Sequence, residues 1–484
     1  MPWFLLACAA FLYLHLFRLP STPVFTIGDQ DVYLVGGMRM LAGQVLYRDF
    51  FDFLPPGAHL VYFLLFRTLG VHAWIPNLML MILGLGLTWL TTAITRRIVQ
   101  GATAYLPGLV FLTFSFRSQL DATHHWYSAL AALAALAVAL ESRTPARILA
   151  AGALCGVAAF FTQPRGTMAL FGFAVFLAWE ARDKRSGART LIRNEALLAA
   201  GFLTTIAALL IRFMMQAGLA PVFNSTVTFL LRYSTAYGWN TWAAYLAERP
   251  SLHPWYRLGP LAVWLFMNVC QPVIYLLCFW RYRQARHAAD GGATTPWDRW
   301  MLVFLVGLAM FAATLRAPSS LRLAADSLPV LILLGWLVSS SHPLSWLARR
   351  TLWAAALALL VSTPMARQIV YSPVDLDLPA GRTAFFDLER AAHFEWFLGR
   401  VQPGQYFFGS TSFNFYLLLP DPAPVPFVTT TDFTRPEQVR DLVEALERLR
   451  VPWVLGWNEL DLAGQGSSGG DHLDPLRDEL RQHY

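Results

Sequence analysis

Apolar runs close to the length that crosses a bilayer as an α-helix, about 20 residues, recur along most of this chain. Candidate spans lie at residues 2–18, 73–95, 101–117, 124–141, 147–163, 165–181, 195–216, 258–281, 299–315, 323–340 and 351–369, about 11 by hydropathy. Composition agrees. Hydrophobic residues make up 56% and charged residues 14% of the chain, against roughly 25% charged in soluble proteins. The expected fold class is a polytopic α-helical membrane protein with a large first outer loop, residues 19–72. Within that loop, 57–70 is apolar but short, and His59 and Arg67 favour a helix lying along the interface. Residues 2–19 lack a basic leader and a small-residue cleavage site, so they are expected to stay as the first helix.

Loop charge sets the expected orientation. With the N-terminus inside, the inner loops hold Arg96-Arg97, Arg143 to Arg147, Arg182 to Arg193, Arg281 to Arg299 and Arg349-Arg350. The outer loops are poorer in arginine for their length and richer in aromatics, so the positive-inside rule is met. Asp29, Asp121, His124, the loop 217–257 and the C-terminus then share the non-cytoplasmic face. The net charge of +7 is explained by these loops, and no continuous basic face points to nucleic acid. Lys184 is the only lysine, an arginine bias that suggests a GC-rich bacterial genome and hence a bacterial inner membrane. Cys8, Cys155, Cys270 and Cys278 lie in apolar segments without metal-ligand spacing and read as buried thiols. In 217–257, Phe229, Tyr233, Tyr237, Trp239, Trp242, Tyr245, Trp255 and Tyr256 suit the headgroup level, either as a lid or as a passive anchor.

Beyond about residue 375 charge returns and short apolar runs alternate with amphipathic patterns. The expected division is a membrane domain at 1–370 and a small α/β domain at 371–484. Thr434-Arg435-Pro436-Glu437 has the form of a helix capping box. Gly464–Gly470 lacks the strand-before, helix-after setting of a phosphate cradle and reads as a flexible loop.

Chemistry is expected at Asp29-Gln30-Asp31, just beyond the first helix. Acids beside hydrocarbon are costly, so they tend to have a task. They could bind a hard divalent cation, Mg or Mn, through oxygen, or one could act as a general base. An ordinary solvated loop ending in a helix N-cap explains the same residue types. Asp121-Ala122-Thr123-His124-His125 opens another span, and neutral histidines there could add transition-metal ligands or simply form interfacial hydrogen bonds. Arg165, Arg316 and Arg322 sit at outer turns, where guanidinium groups suit phosphate or anchor to headgroups.

Asp29, Tyr33, Met40, Leu41, Gly43, the pair Pro55-Pro56 and Gly70 follow one another in an order that resembles the first outer loop of the GT-C glycosyltransferases. These enzymes use polyprenyl-phosphate sugars and include protein O-mannosyltransferases and aminoarabinose transferases. The likeness covers about residues 1–340 and is closest over 29–70. It implies a catalytic Asp29 assisted by Asp121, with Asp29, Asp121 and His124 as the metal set. Asp31, Tyr33, His59, Arg165, Arg316 and Arg322 would contact substrate. It further implies inverting transfer of a sugar from a polyprenyl-phosphate donor to a glycan, lipid or protein hydroxyl outside. One departure is plain: the aminoarabinose transferases carry a lysine before the Pro-Pro pair, and this chain has Leu54. Two other classes compete. A flippase for lipid-linked sugars would place its ionisable groups at mid-membrane within repeats, and an envelope assembly protein would need no catalytic acid.

Overall fold

The computed structural model describes residues 1–233, 241–247, 249–250, 258–287, 297–340, 342–402, 404–424, 434–455 and 471–484. Tyr237, Trp239, Trp255 and Tyr256 of the aromatic loop, and Gly464–Gly470, lie outside them.

Helix α1 (Pro2–Leu16) leads into two short antiparallel strands, β1 (Phe17–Arg18) and β2 (Thr22–Pro23). Helices α2 (Gln30–Leu41) and α3 (Gly57–Leu69) follow, and Gly70, with φ 83°, ends α3 in a conformation that glycine adopts freely. Then come α4 (Ile75–Thr95), α5 (Leu106–Val110), α6 (His124–Glu141), α7 (Pro145–Phe161), α8 (Gln163–Asp183) and α9 (Ala188–Ala217). Short helices α10 (Leu219–Phe223), α11 (Phe229–Tyr233) and α12 (Trp242–Ala247) precede α13 (Leu258–Asn268), α14 (Cys270–His287), α15 (Trp297–Leu315), α16 (Ser320–Val338) and α17 (Pro343–Met365). The remainder is a hairpin, β3 (Val374–Leu378) and β4 (Gly381–Phe385), then α18 (Leu388–Leu398), β5 (Phe407–Phe408), α19 (Thr411–Tyr416), α20 (Pro436–Leu449), β6 (Trp453–Val454) and α21 (Asp474–His483). Strands β5 and β6 pair in parallel.

Five helices among the described residues are long and apolar enough to cross a membrane: Ile75–Thr95, Ala188–Ala217, Trp297–Leu315, Ser320–Val338 and Pro343–Val370. Pro2–Leu16, Gly57–Leu69 and Pro145–Phe161 are apolar but shorter. The other expected spans are interrupted or more polar. The run 101–117 is a 3₁₀ turn, the short α5, a π-helical turn over Phe111–Ser115 and a second 3₁₀ turn. The run 258–281 is divided between α13 and α14. Helix α9 begins before residue 195 because its polar first turns, with Arg189 and Arg193, continue the helix beyond the apolar stretch.

Small residues let α7 and α9 approach closely, as is common where lipid leaves packing to hold helices together. A Cβ on Gly152 would overlap the Leu198 carbonyl, and one on Gly201 would overlap that of Leu149. The C-terminal region packs onto the segment around the first loop. Phe25 N–H donates to Ala384 O (2.8 Å), Ala73 N–H to Ala380 O (2.7 Å), and Arg18 pairs with Asp375 (2.6 Å). The Phe25 ring stacks on Phe385 at 4.7 Å. Leu376, Phe385, Phe394 and Phe413 therefore share one continuous apolar core with α1, α2 and α4.

Candidate active site

The site forms where the N-terminus of α2 meets the loop before α6. Both carboxylate oxygens of Asp121 accept backbone N–H groups there, from Asp29 and from Gln30, each at 2.9 Å. Unsatisfied N–H groups at a helix start favour an anion in this position. Gly28 permits the contact, since a Cβ at residue 28 would overlap the Asp121 carboxyl group. The Gln30 amide completes the joint: it donates to Thr26 Oγ1 (2.7 Å) and accepts from Ala122 N–H (2.8 Å). Tyr62 donates its hydroxyl to Ala122 O (3.0 Å). The loop 121–123 and the start of α2 are thus one hydrogen-bonded unit.

Asp29 occupies the N-cap of α2 without a side-chain capping bond. Its side chain is exposed. Burial pushes its carboxyl above the usual carboxylate range, the Arg322 guanidinium opposes that rise, and the Asp52 charge adds to it. Asp121 moves up as well, through burial first and the Asp29 charge second, against the pull of its two backbone donors.

Tyr33, one turn along α2, is buried with its hydroxyl 2.5 Å from His124 Nδ1, and Thr123 Oγ1 is 2.9 Å from the same nitrogen. Burial and the charges of Asp29, Asp52 and Asp121 hold the Tyr33 phenol well above its usual range. It therefore stays protonated and donates. Ligand atoms of Asp29, His124 and His125 lie within 4.8 Å of one another, so spacing alone allows a cation. Asp121, expected in the metal set, is not in that group and is held instead by the backbone of α2. The hydrogen bonds of His125 do not fit a metal, because Arg165 Nη1 lies 3.2 Å from its Nδ1 and a guanidinium can only donate.

The other expected substrate contacts are distributed differently. Asp31 is buried on α2, and the Ser412 hydroxyl of α19 donates to its Oδ2 (2.5 Å). Burial pushes Asp31 up to about 7, partly offset by that bond. His59 forms a buried pair with Asp52 (2.7 Å), both 1% exposed, and Asp52 also accepts Leu54 N–H (2.9 Å). This pair lines a cavity of about 20 Å³ with Arg39, Thr411 and Asp421, room for one water. Arg165 is buried and paired through Nε with Asp326 (2.6 Å), which also accepts the Thr314 hydroxyl. Arg322 is half-buried near Asp29 and donates to Ala317 O (2.8 Å), while Arg316 is exposed in the turn after α15. Asp52, Asp326 and Ser412 have no local sequence signature. Only the third dimension reveals them as partners of His59, Arg165 and Asp31.

Apolar helices with two acids, two histidines and nearby guanidinium groups gathered at their ends define a multi-pass membrane protein with a polar site. No protein-family model matches the sequence, and no curated protein matches it. Solved structures do. The crystal structure of ArnT from Cupriavidus metallidurans bound to undecaprenyl phosphate matches 87% of this chain and 85% of its own, with a TM-score of 0.57 at 13% identity. Its apo form matches 87% and 84%, at 0.55 and 15% identity. The apo oligosaccharyltransferase of Archaeoglobus fulgidus matches 94% of this chain and 69% of its own, at 0.50 and 11% identity. The chain has the fold of the GT-C glycosyltransferases, as the order of residues 29–70 led one to expect.

Proposed function

We propose that the protein is an integral membrane glycosyltransferase, with its site and C-terminus on the outer face of a bacterial inner membrane. It moves a sugar from a polyprenyl-phosphate donor to the hydroxyl of a glycan, lipid or protein acceptor. The observation that carries this reading is Asp29: an accessible carboxylate at the start of α2, within the field of Arg322, on the fold that ArnT also has. Undecaprenyl phosphate bound to that neighbour supports a lipid-phosphate donor for this chain.

A carboxylate whose affinity for protons is raised is a stronger base near neutrality. Asp29 takes the proton of the acceptor hydroxyl as the acceptor oxygen bonds to the anomeric carbon. The bond from that carbon to the phosphate oxygen breaks, and the lipid phosphate leaves with the electron pair. Arg322 and Arg316 supply positive charge as negative charge develops on the leaving group. Arg165 has a different task, since Asp326 neutralises it. Asp121 assists by fixing the backbone of Asp29. No step passes through a metal.

Sugar transfer by the purified protein in detergent tests the reading. Asp29→Asn should lower the rate by about 10²–10⁴ with unchanged melting. Undiminished transfer by that variant refutes it.

A further inference from the structure

Two histidines adjacent to an acid invite a metal, yet the hydrogen bonds around them set another chemistry. The Arg165 guanidinium cannot accept a hydrogen bond, so at 3.2 Å its Nη1 donates to His125 Nδ1. The lone pair on Nδ1 is thereby used, and in the neutral ring the proton sits on Nε2. A metal on Nδ1 would compete with Arg165 for that lone pair. A metal on Nε2 would move the ring proton to Nδ1, where it would face the Arg165 N–H. Either ligation breaks the contact. His124 differs, because its Nδ1 meets the hydroxyls of Tyr33 (2.5 Å) and Thr123 (2.9 Å), and a hydroxyl can donate or accept.

Arg165 itself is held in place. Its Nε is bonded to Asp326 at 2.6 Å, its Nη1 also donates to His125 O (3.1 Å), and it is 4% exposed. Both histidine rings are more than nine-tenths buried, and neither Nε2 has a hydrogen-bond partner among the described residues. Arg165 and Arg322 both bear electrostatically on His125, which disfavours a further cation and favours an anion.

We infer that Arg165 is a positioning residue that fixes His125 as an Nε2–H donor, turning it from a metal ligand into a donor for the phosphate of the lipid-linked substrate. The identity of the ligand rests on the transferase reading above; the tautomer rests on the hydrogen bonds alone. The His125 N–H would hold the leaving phosphate oxygen where other sites use a divalent ion.

The full-length protein in detergent allows a direct test with two probes, Co²⁺ and farnesyl phosphate. Arg165→Lys keeps a cation for Asp326 but has no second arm for His125 Nδ1. Co²⁺ should give no visible ligand-field band with the wild type. It should give one with Arg165→Lys, with at least about tenfold tighter binding, and lose it again in Arg165→Lys/His125→Gln. A wild-type band that His125→Gln abolishes overturns the inference. Farnesyl phosphate should bind His125→Phe about tenfold more weakly, the loss of one hydrogen bond to a charged group, with His125→Gln restoring part and farnesol insensitive to both. Equal farnesyl phosphate binding by wild type and His125→Phe also overturns it, and this arm stands even if Arg165→Lys fails to fold. Neither probe reads sugar transfer, so a failed transfer assay counts against the transferase reading separately.

Discussion

Gly28→Ala should damage the site without touching a charged group, because its methyl enters the space of the Asp121 carboxyl. The carboxylate must move, and its two 2.9 Å bonds to the Asp29 and Gln30 backbones are lost. A hydrogen bond to a charged group contributes about 1.5–3 kcal/mol net. The pair lies beside the exposed Asp29, where water can replace part of the loss, so the lower end applies and the two together stabilise by about 3 kcal/mol. At φ 156° an alanine adds backbone strain of about 1 kcal/mol. Gly28→Ala should then cost about 4 kcal/mol and Asp121→Ala about 3, and the double variant about 4 instead of the sum, about 7, because both break the same contact. The assay is a double-mutant cycle on thermal unfolding in detergent, at roughly 2 °C per kcal/mol for a chain of this size. Transfer rates should fall together in all three variants as Asp29 loses its fixed backbone. Additive losses would refute the reasoning, since they would mean that Gly28 and Asp121 act on different features.

Three further outcomes follow from the charges. Arg322 lowers the proton affinity of Asp29, so in Arg322→Gln the acid limb of the transfer-rate profile should move to higher pH; a shift to lower pH would contradict the assignment. Burial raises Asp31 to about 7 from its usual 3.8, so in this window the folded state binds more protons than the unfolded one, and its contribution to stability is lost as pH rises from about 4 to 7. Melting measured from pH 5 to 8 should fall for the wild type and flatten in Asp31→Asn. His59→Ala leaves Asp52 buried without its partner and should destabilise by roughly 3–5 kcal/mol, read in the same melting assay, whereas an effect below about 1 kcal/mol would mean that the pair is not closed as described.

Local patterns carried much of this architecture in the sequence. The short helix at 57–70 and its glycine stop, the placement of Asp29 before α2 and the closeness of Asp121 all depend on apolar periodicity, on a cap position or on the order of motifs. What was not legible depends on partners far apart in the chain. Arg165 read as a phosphate contact because an arginine at a helix start has that chemistry, and nothing near it announces Asp326, 161 residues away. Asp31 read as a second acid of the site because spacing cannot tell which face of α2 it lies on; Ser412, 381 residues later, decides that. The capping box was displaced by one residue. Arg435, not Thr434, gives its backbone N–H to Gln438 Oε1 (3.0 Å), and Thr434 turns to His472. Hydropathy averages over the turns that divide 101–117 and 258–281, so those breaks were not legible in the apolar runs.

A site carried between two helices needs support from elsewhere, since an unsupported loop cannot hold a reacting group within a fraction of an ångström. Here the support comes from two sides. Asp121 and Gln30 fasten the start of α2 to the loop before α6, and Ser412 fastens it to α19 through Asp31. Of the three acids, Asp121 spends both oxygens on backbone and Asp31 is buried against Ser412. Asp121 is half-buried, and Asp29 is the exposed one of the three, with no backbone N–H on its carboxylate among the described residues. Three carboxylates that look interchangeable in the sequence therefore divide into two that shape the site and one that can meet a substrate. The clamp through Asp31 has a consequence for the transferase reading. Its carboxyl is buried, so ionisation near pH 7 leaves a buried negative charge at the base of the helix that carries Asp29. Burial outweighs the Ser412 bond, which itself favours the ionised form, so the start of α2 should lose stability as pH rises to about 7, and loss of transfer on the alkaline side should be relieved in Asp31→Asn and retained in Arg322→Gln.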